Sequence, residues 1–152
     1  MDSRFSHNLR TREFFISFID KLTTEQLNEI PQGFSNNIIW NICHSMTSQQ
    51  GLVYGLSLVD QQIPKELALR FRNGTKPEGF IQEKEINEFK EMLVPLIKKT
   101  SDDYDQGVFK EFKPYTTSTG YTMNDIEDAI QMNNIHEGLH LGYAMAILKA
   151  IH

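Results

Sequence analysis

Apolar residues recur along this chain at the period of a helix, not with the alternation of a strand. From Phe5 to Leu22, steps of about 100° bring Phe5, Leu9, Phe15, Ile16, Phe18, Ile19 and Leu22 within half the circumference, with Phe14 at the edge of the arc. Thr23-Thr24-Glu25-Gln26 reads as a capping box, so a short helical turn is expected to about Ile30, before Pro31 and Gly33 stop it. A second long helix is predicted from Ser35 or Asn36 to about Leu58, with Ile38, Ile39, Ile42, Met46, Val53 and Leu56 as its stripe. The third shows the cleanest pattern. Ile81, Ile86, Phe89, Leu93, Leu96 and Ile97 share one face, and Pro95 inside it removes a backbone donor and predicts a kink. The last helix is expected to start at a Thr122 cap, with Asp125 three residues on, and to run almost to the end.

Two long connections separate these helices. Residues 60–80 hold Pro64, Asn73-Gly74 and Pro77-Glu78-Gly79, with a helical turn expected around Glu66 to Arg70. Residues 102–120 read as irregular and carry Thr116-Thr117-Ser118-Thr119. No internal repeat, low-complexity tract or extended strand pattern is visible. Four long helices in a chain this short predict an all-α four-helix bundle, one domain over 1–152, and the long connections argue against simple up-down-up-down hairpins.

Composition narrows the function classes. The 152 residues carry a formal charge of −5, so no basic excess exists to replace counterions on nucleic acid or to hold an anionic membrane surface. No segment approaches the roughly 20 consecutive apolar residues that span a bilayer, and MDSRFSHNLRTREFF lacks the layout of a secretory signal. A cytoplasmic protein is expected. Cys43, the single cysteine, can form no internal disulfide.

The strongest chemical signal is His136-Glu137-Gly138-Leu139-His140. Two histidines four apart on a helix lie about 40° apart around it and about 6 Å apart along it, so both imidazoles can reach one metal ion. On the wheel of the last helix, apolar residues leave only a narrow polar sector at Gln131, Asn134, Gly138 and Gly142. Both histidines fall near the middle of the apolar arc and are expected to be buried. A metal would satisfy two neutral buried imidazoles together; the alternative is core histidines bonded to Asn, Tyr or backbone groups. The same residues match H-E-x-x-H, the zinc-peptidase helix, with Glu137 as would-be general base. That match is read as accidental: Ala146 breaks the extended motif, no Glu follows Glu137, and no edge strand precedes the helix. Glu137 is expected to point along the pocket without being a ligand.

A third ligand must come from upstream, and His44 on the second helix is the candidate. His7 and His152 lie too near the ends. Ser48, Gly51 and Gly55 share the side of His44, and the glycines allow either close helix packing or room for a ligand. Trp40, one turn earlier, reads as a core anchor, and Cys43 as an inert buried thiol. Three neutral histidines leave a coordination position open, unlike a closed structural zinc site, and so point to bound-water or thiol activation.

On these residues the chain resembles the DinB-like superfamily, the DinB/YfiT-like metalloenzymes. The resemblance rests on His44 within Asn37-Ile38-Ile39-Trp40-Asn41-Ile42-Cys43-His44, the pair His136 and His140, and Tyr115-Thr116-Thr117-Ser118-Thr119-Gly120 ahead of the last helix. It implies up-down-down-up connectivity with long crossovers, a divalent ion (zinc or nickel, otherwise iron or manganese) on the three histidines, and a homodimer. It also implies a small-molecule substrate and a low-molecular-weight thiol as possible cofactor, in a transferase or hydrolase reaction. The competing expectation is a non-catalytic dimeric helical module whose histidine cluster is structural or vestigial. Asn133 lies on the inward side near the pair and is a candidate for supporting a ligand histidine or touching substrate, with a plain buried hydrogen bond the preferred expectation; Gln49, Gln50 and Tyr121 are weaker candidates of the same kind.

Overall fold

The computed structural model describes residues 2–151, and the chain is mostly helical. Helix α1 spans Ser3–Lys21, started by Asp2, whose carboxylate accepts from the Arg4 N–H at 2.8 Å. Phe5, Phe15, Phe18 and Ile19 are buried as their spacing predicts, but Asn8 and Arg12 are buried with them. The capping box of Thr23 and Gln26 opens α2, Thr24–Asn28. Asn37 caps α3, Ile38–Gln49, by accepting from the Trp40 N–H at 2.9 Å.

The second helix is not the uniform α-helix expected to Leu58. It widens into a π-helical segment at Gln50–Gly55 and ends on Leu58, held in the left-handed region at φ 58°. A π segment turns less per residue than an α-helix, so the stripe drifts. Val53 and Tyr54 are buried there, while Leu56 is only half-buried.

Helix α4, Lys65–Arg70, lies within the first connection. Helix α5, Glu83–Asp105, continues across Pro95. Glu91, whose carbonyl loses the Pro95 donor, and Pro95 itself both face solvent, so water can take the place of the missing bond. The second connection is less irregular than expected. Strands β1 (Tyr115–Thr116) and β2 (Thr122–Met123) pair antiparallel, Thr116 opposite Thr122, across a turn containing Gly120 at φ 86°. Thr122 is therefore a strand residue and not the cap. Asp125 caps α6, Ile126–Ala150, accepting from the Asp128 N–H at 3.0 Å.

The long helices pack α3 on α6, α1 on both α5 and α6, and α3 on α5. One core cluster gathers Phe15, Trp40, Met46, Phe71, Leu93 and Ile147; a second centres on Tyr54 with Phe5, Val53, Ile97 and Ile130.

The wide apolar arc of α6 is only partly covered. The buried line runs Ala129, Ile130, Asn133, Glu137, Ala144 and Ile147, whereas Ile135 and Leu139 are 51% and 65% exposed. Glu137 thus occupies the middle of the buried stripe, and His136 and His140 sit half-buried at its edge. The cause is an ion pair. Arg12 of α1 donates from Nε and Nη2 to both carboxylate oxygens of Glu137 at 2.7 Å each, and both side chains are 0% exposed. Asn133 adds a third donor to Glu137 at 3.1 Å.

Removing one member of such a pair strands a charge in the core. Arg12→Met is expected to lower unfolding free energy in urea by about 3–5 kcal/mol, and adding Glu137→Leu to recover most of that loss.

Candidate metal centre

His44 sits on α3 within the run Ile38–Met46, which is buried almost all round, and its imidazole is buried with it. The indole of Trp40, one turn earlier, stacks on it with ring centres 4.7 Å apart and 8° between planes. The His44 Nδ1–H donates to the backbone carbonyl of Phe71 at 2.6 Å. A carbonyl oxygen only accepts, so the hydrogen is on Nδ1 and the Nε2 lone pair faces the interior. The Ser48 hydroxyl donates to that Nε2 at 3.3 Å.

Helix α6 brings the other two imidazoles to the same place. The ring centres of His136 and His140 are 4.5 Å apart, and those of His44 lie 5.1 Å from His136 and 4.6 Å from His140. One ring nitrogen of each lies within 4.8 Å of the other two. His140 is oriented as His44 is, by its Nδ1: Asn41 Oδ1 lies 2.8 Å away. The Asn41 amide donates its own hydrogens to Asn36 Oδ1 and to the Asn37 carbonyl, both at 2.8 Å, so its oxygen is the atom turned to the ring. His140 therefore also keeps its lone pair on Nε2. The Nε2 atoms of His44 and His136 face each other at 3.3 Å, and the buried Nδ1 of His136 has no hydrogen-bond partner.

Burial keeps all three rings neutral. It lowers the His44 pKa, partly offset by the Phe71 carbonyl. It pushes His136 down to about 4, with His44 adding to the effect and Glu137 opposing it. His140 falls to about 3, from burial first and then from its two histidine neighbours. Neutral imidazole is the form that binds a metal, and three such rings with one ring nitrogen unsatisfied could hold a single ion.

Other candidates lie elsewhere. His7 is exposed, and His152 falls outside the described residues. Cys43 is fully buried, its thiol pKa pushed well up by that burial, and it is not part of the cluster. Glu137, expected along the pocket, is turned away from it and committed to Arg12. Asn133 makes the buried hydrogen bond expected of it. Gln49 bonds Thr100 at 2.9 Å, Gln50 bonds Gln49 at 2.7 Å, and Tyr121 is exposed near Asp128.

A cavity of about 520 Å³ opens beside the cluster, with His44 and His136 in its wall. Gly51 borders it, and a Cβ there would meet nothing within 4 Å; Gly55 instead abuts Gln61. Leu52, Leu69, Met132 and Leu139 make it largely apolar, and Thr117, Ser118 and Thr119 from the hairpin turn close one side. Asn41 and the Phe71 carbonyl, which orient His140 and His44, are not among the residues that spacing singles out. The signal for Asn41 was a polar residue three positions before His44 in an otherwise apolar run; a backbone carbonyl leaves no signal.

A helical chain with three converging histidines beside an apolar cavity now has a family. The chain belongs to the DinB superfamily, whose sequence profile matches residues 8–144, a span containing His44, His136 and His140. No curated protein matches it.

The lowered histidine pKa values set a pH dependence. Below the unfolded-state value of about 6.5 the unfolded chain binds protons that the folded rings refuse, so stability falls as pH drops from there towards the folded values. Metal-free protein is expected to lose urea resistance between pH 6.5 and 5. His140→Gln should show a smaller loss over the same interval.

Proposed function

We propose that His44, His136 and His140 together hold one divalent ion, zinc or nickel before iron or manganese, in a metal-dependent enzyme acting on a small molecule. The observation that carries this reading is the pair of hydrogen bonds from His44 Nδ1 to Phe71 O and from His140 Nδ1 to Asn41 Oδ1, which turn both Nε2 lone pairs to the cluster, where a bound ion would displace the long Ser48 contact to His44. Hydrogen bonding of the distal ring nitrogen is how metal-binding imidazoles are oriented. A divalent ion supplies Lewis acidity, enough to lower the pKa of a bound low-molecular-weight thiol or water for a transferase or hydrolase reaction. The chain itself contributes the rest. Trp40 holds the His44 plane, Asn41 holds His140, and the apolar cavity wall keeps bulk water from the reacting end of a substrate.

Within this reading the protein is one cytoplasmic domain, an up-down-down-up bundle, and a homodimer. The exposed face of α6 favours self-association, because Ile135, Leu139 and Tyr143 project beside Gly138, Gly142 and Ala146, all open to solvent. That face also supports the second reading, a dimeric helical module without catalysis. The peptidase reading has no support, since its general base would be the Arg12-bound Glu137.

Metal analysis of untagged protein is expected to find close to one ion per chain, falling sharply in His44→Ala and His136→Ala and unchanged in His7→Ala. Failure to bind zinc, nickel, iron or manganese after reconstitution would sink the enzyme. Light scattering should give a dimer that Leu139→Glu converts to monomer; a metal-free dimer would leave the module reading in its place.

A further inference from the structure

The cavity beside the histidines has one charged side chain in its wall, and that is a cation. Arg72 lines it; no Asp, Glu or Lys does. In a chain of net charge −5, an opening with a single positive group and no negative one is a local reversal of the molecule's sign. Among the described residues the Arg72 side chain makes no hydrogen bond and no ion pair, whereas Arg4, Arg10, Arg12 and Arg70 each pair with a carboxylate. Arg72 is also exposed, so placing a guanidinium there carries little desolvation cost.

The rest of the cavity wall combines polar and apolar groups. Asn73 and the hydroxyls of Thr117, Ser118 and Thr119 line the same cavity, while Leu52, Leu56, Leu69, Met132 and Leu139 supply an apolar stretch. The volume of about 520 Å³ falls within the range of small-molecule sites. Arg72 also follows Phe71, whose carbonyl orients His44, so one turn of chain both presents the cation and sets the imidazole.

We infer that Arg72 anchors the anionic group, a carboxylate in the first instance, of a small amphipathic substrate whose apolar body fills the cavity. The guanidinium fork matches a carboxylate in two-point contact. The inference rests on the proposed function in taking this cavity as the substrate site, but the anchor itself needs no metal.

The test uses octanoate as the probe and octanamide as its uncharged counterpart, titrated calorimetrically into the full chain, both zinc-loaded and metal-free. Octanoate is expected to bind metal-free protein about fivefold more tightly than octanamide, with the preference shrinking as salt rises. Arg72→Gln should abolish the preference and Arg72→Lys should keep part of it. Equal binding of the two probes, binding of neither, or a preference that survives Arg72→Gln would overturn the assignment. A preference that appears only with zinc and survives Arg72→Gln puts the carboxylate on the ion; that overturns the anchor and supports the metal. A preference that depends on Arg72 in protein unable to bind any metal leaves the anchor standing and removes the metal-dependent reading.

Discussion

Two opposite charges with no exposure to water determine how this molecule is assembled. Arg12 and Glu137 meet in a two-point pair between α1 and α6, and neither could be buried without the other. The pair sets both the height of α6 against α1 and its rotation. With Glu137 pinned to the centre of the contact, the residues on either side in sequence must turn away by about 100°. His136 is one of them, and the next turn carries His140 to the same side, where α3 presents His44. The ion pair thus stands behind the histidine cluster without touching its reacting side.

The cluster in turn depends on groups outside the α6 motif. Three imidazoles in a core would repel as cations, and their burial keeps them neutral. What aims the lone pairs of His44 and His140 is a carbonyl from the first long connection and an amide from α3. The second connection, with its short hairpin, closes one side of the cavity that these rings border. The two segments that read as mere links between helices therefore orient one histidine and enclose the space in front of it.

Local rules were enough for much of this. The helices, the Thr23–Gln26 capping box, the turn near Glu66 and the burial of Cys43 follow from periodicity, hydrogen-bond stereochemistry and hydrophobicity, which act over a few residues. The histidine spacing on α6 was legible for the same reason, because helix geometry alone brings residues four apart together. Errors came where a neighbour decided the outcome. Thr122 has the chemistry of a cap, but pairing with Thr116 makes it a strand residue and passes the cap to Asp125. The π-helical segment after Gln49 breaks the even 100° step on which any wheel rests. The apolar arc of α6 was wider than its neighbours could cover, so Leu139 stays exposed while charged Glu137 goes inside.

By itself the sequence determined a mostly helical chain and the three histidines that merit attention, since both follow from spacing along one strand of covalent bonds. Only the tertiary structure decided which side of α6 faces inward, which atoms aim two of the imidazoles, and that Arg72 shares a cavity with His44 and His136. Those outcomes hang on contacts between residues 27 to 125 positions apart. A buried charge seeks whatever partner the packing delivers, and nothing in its own stretch of chain announces which one that will be.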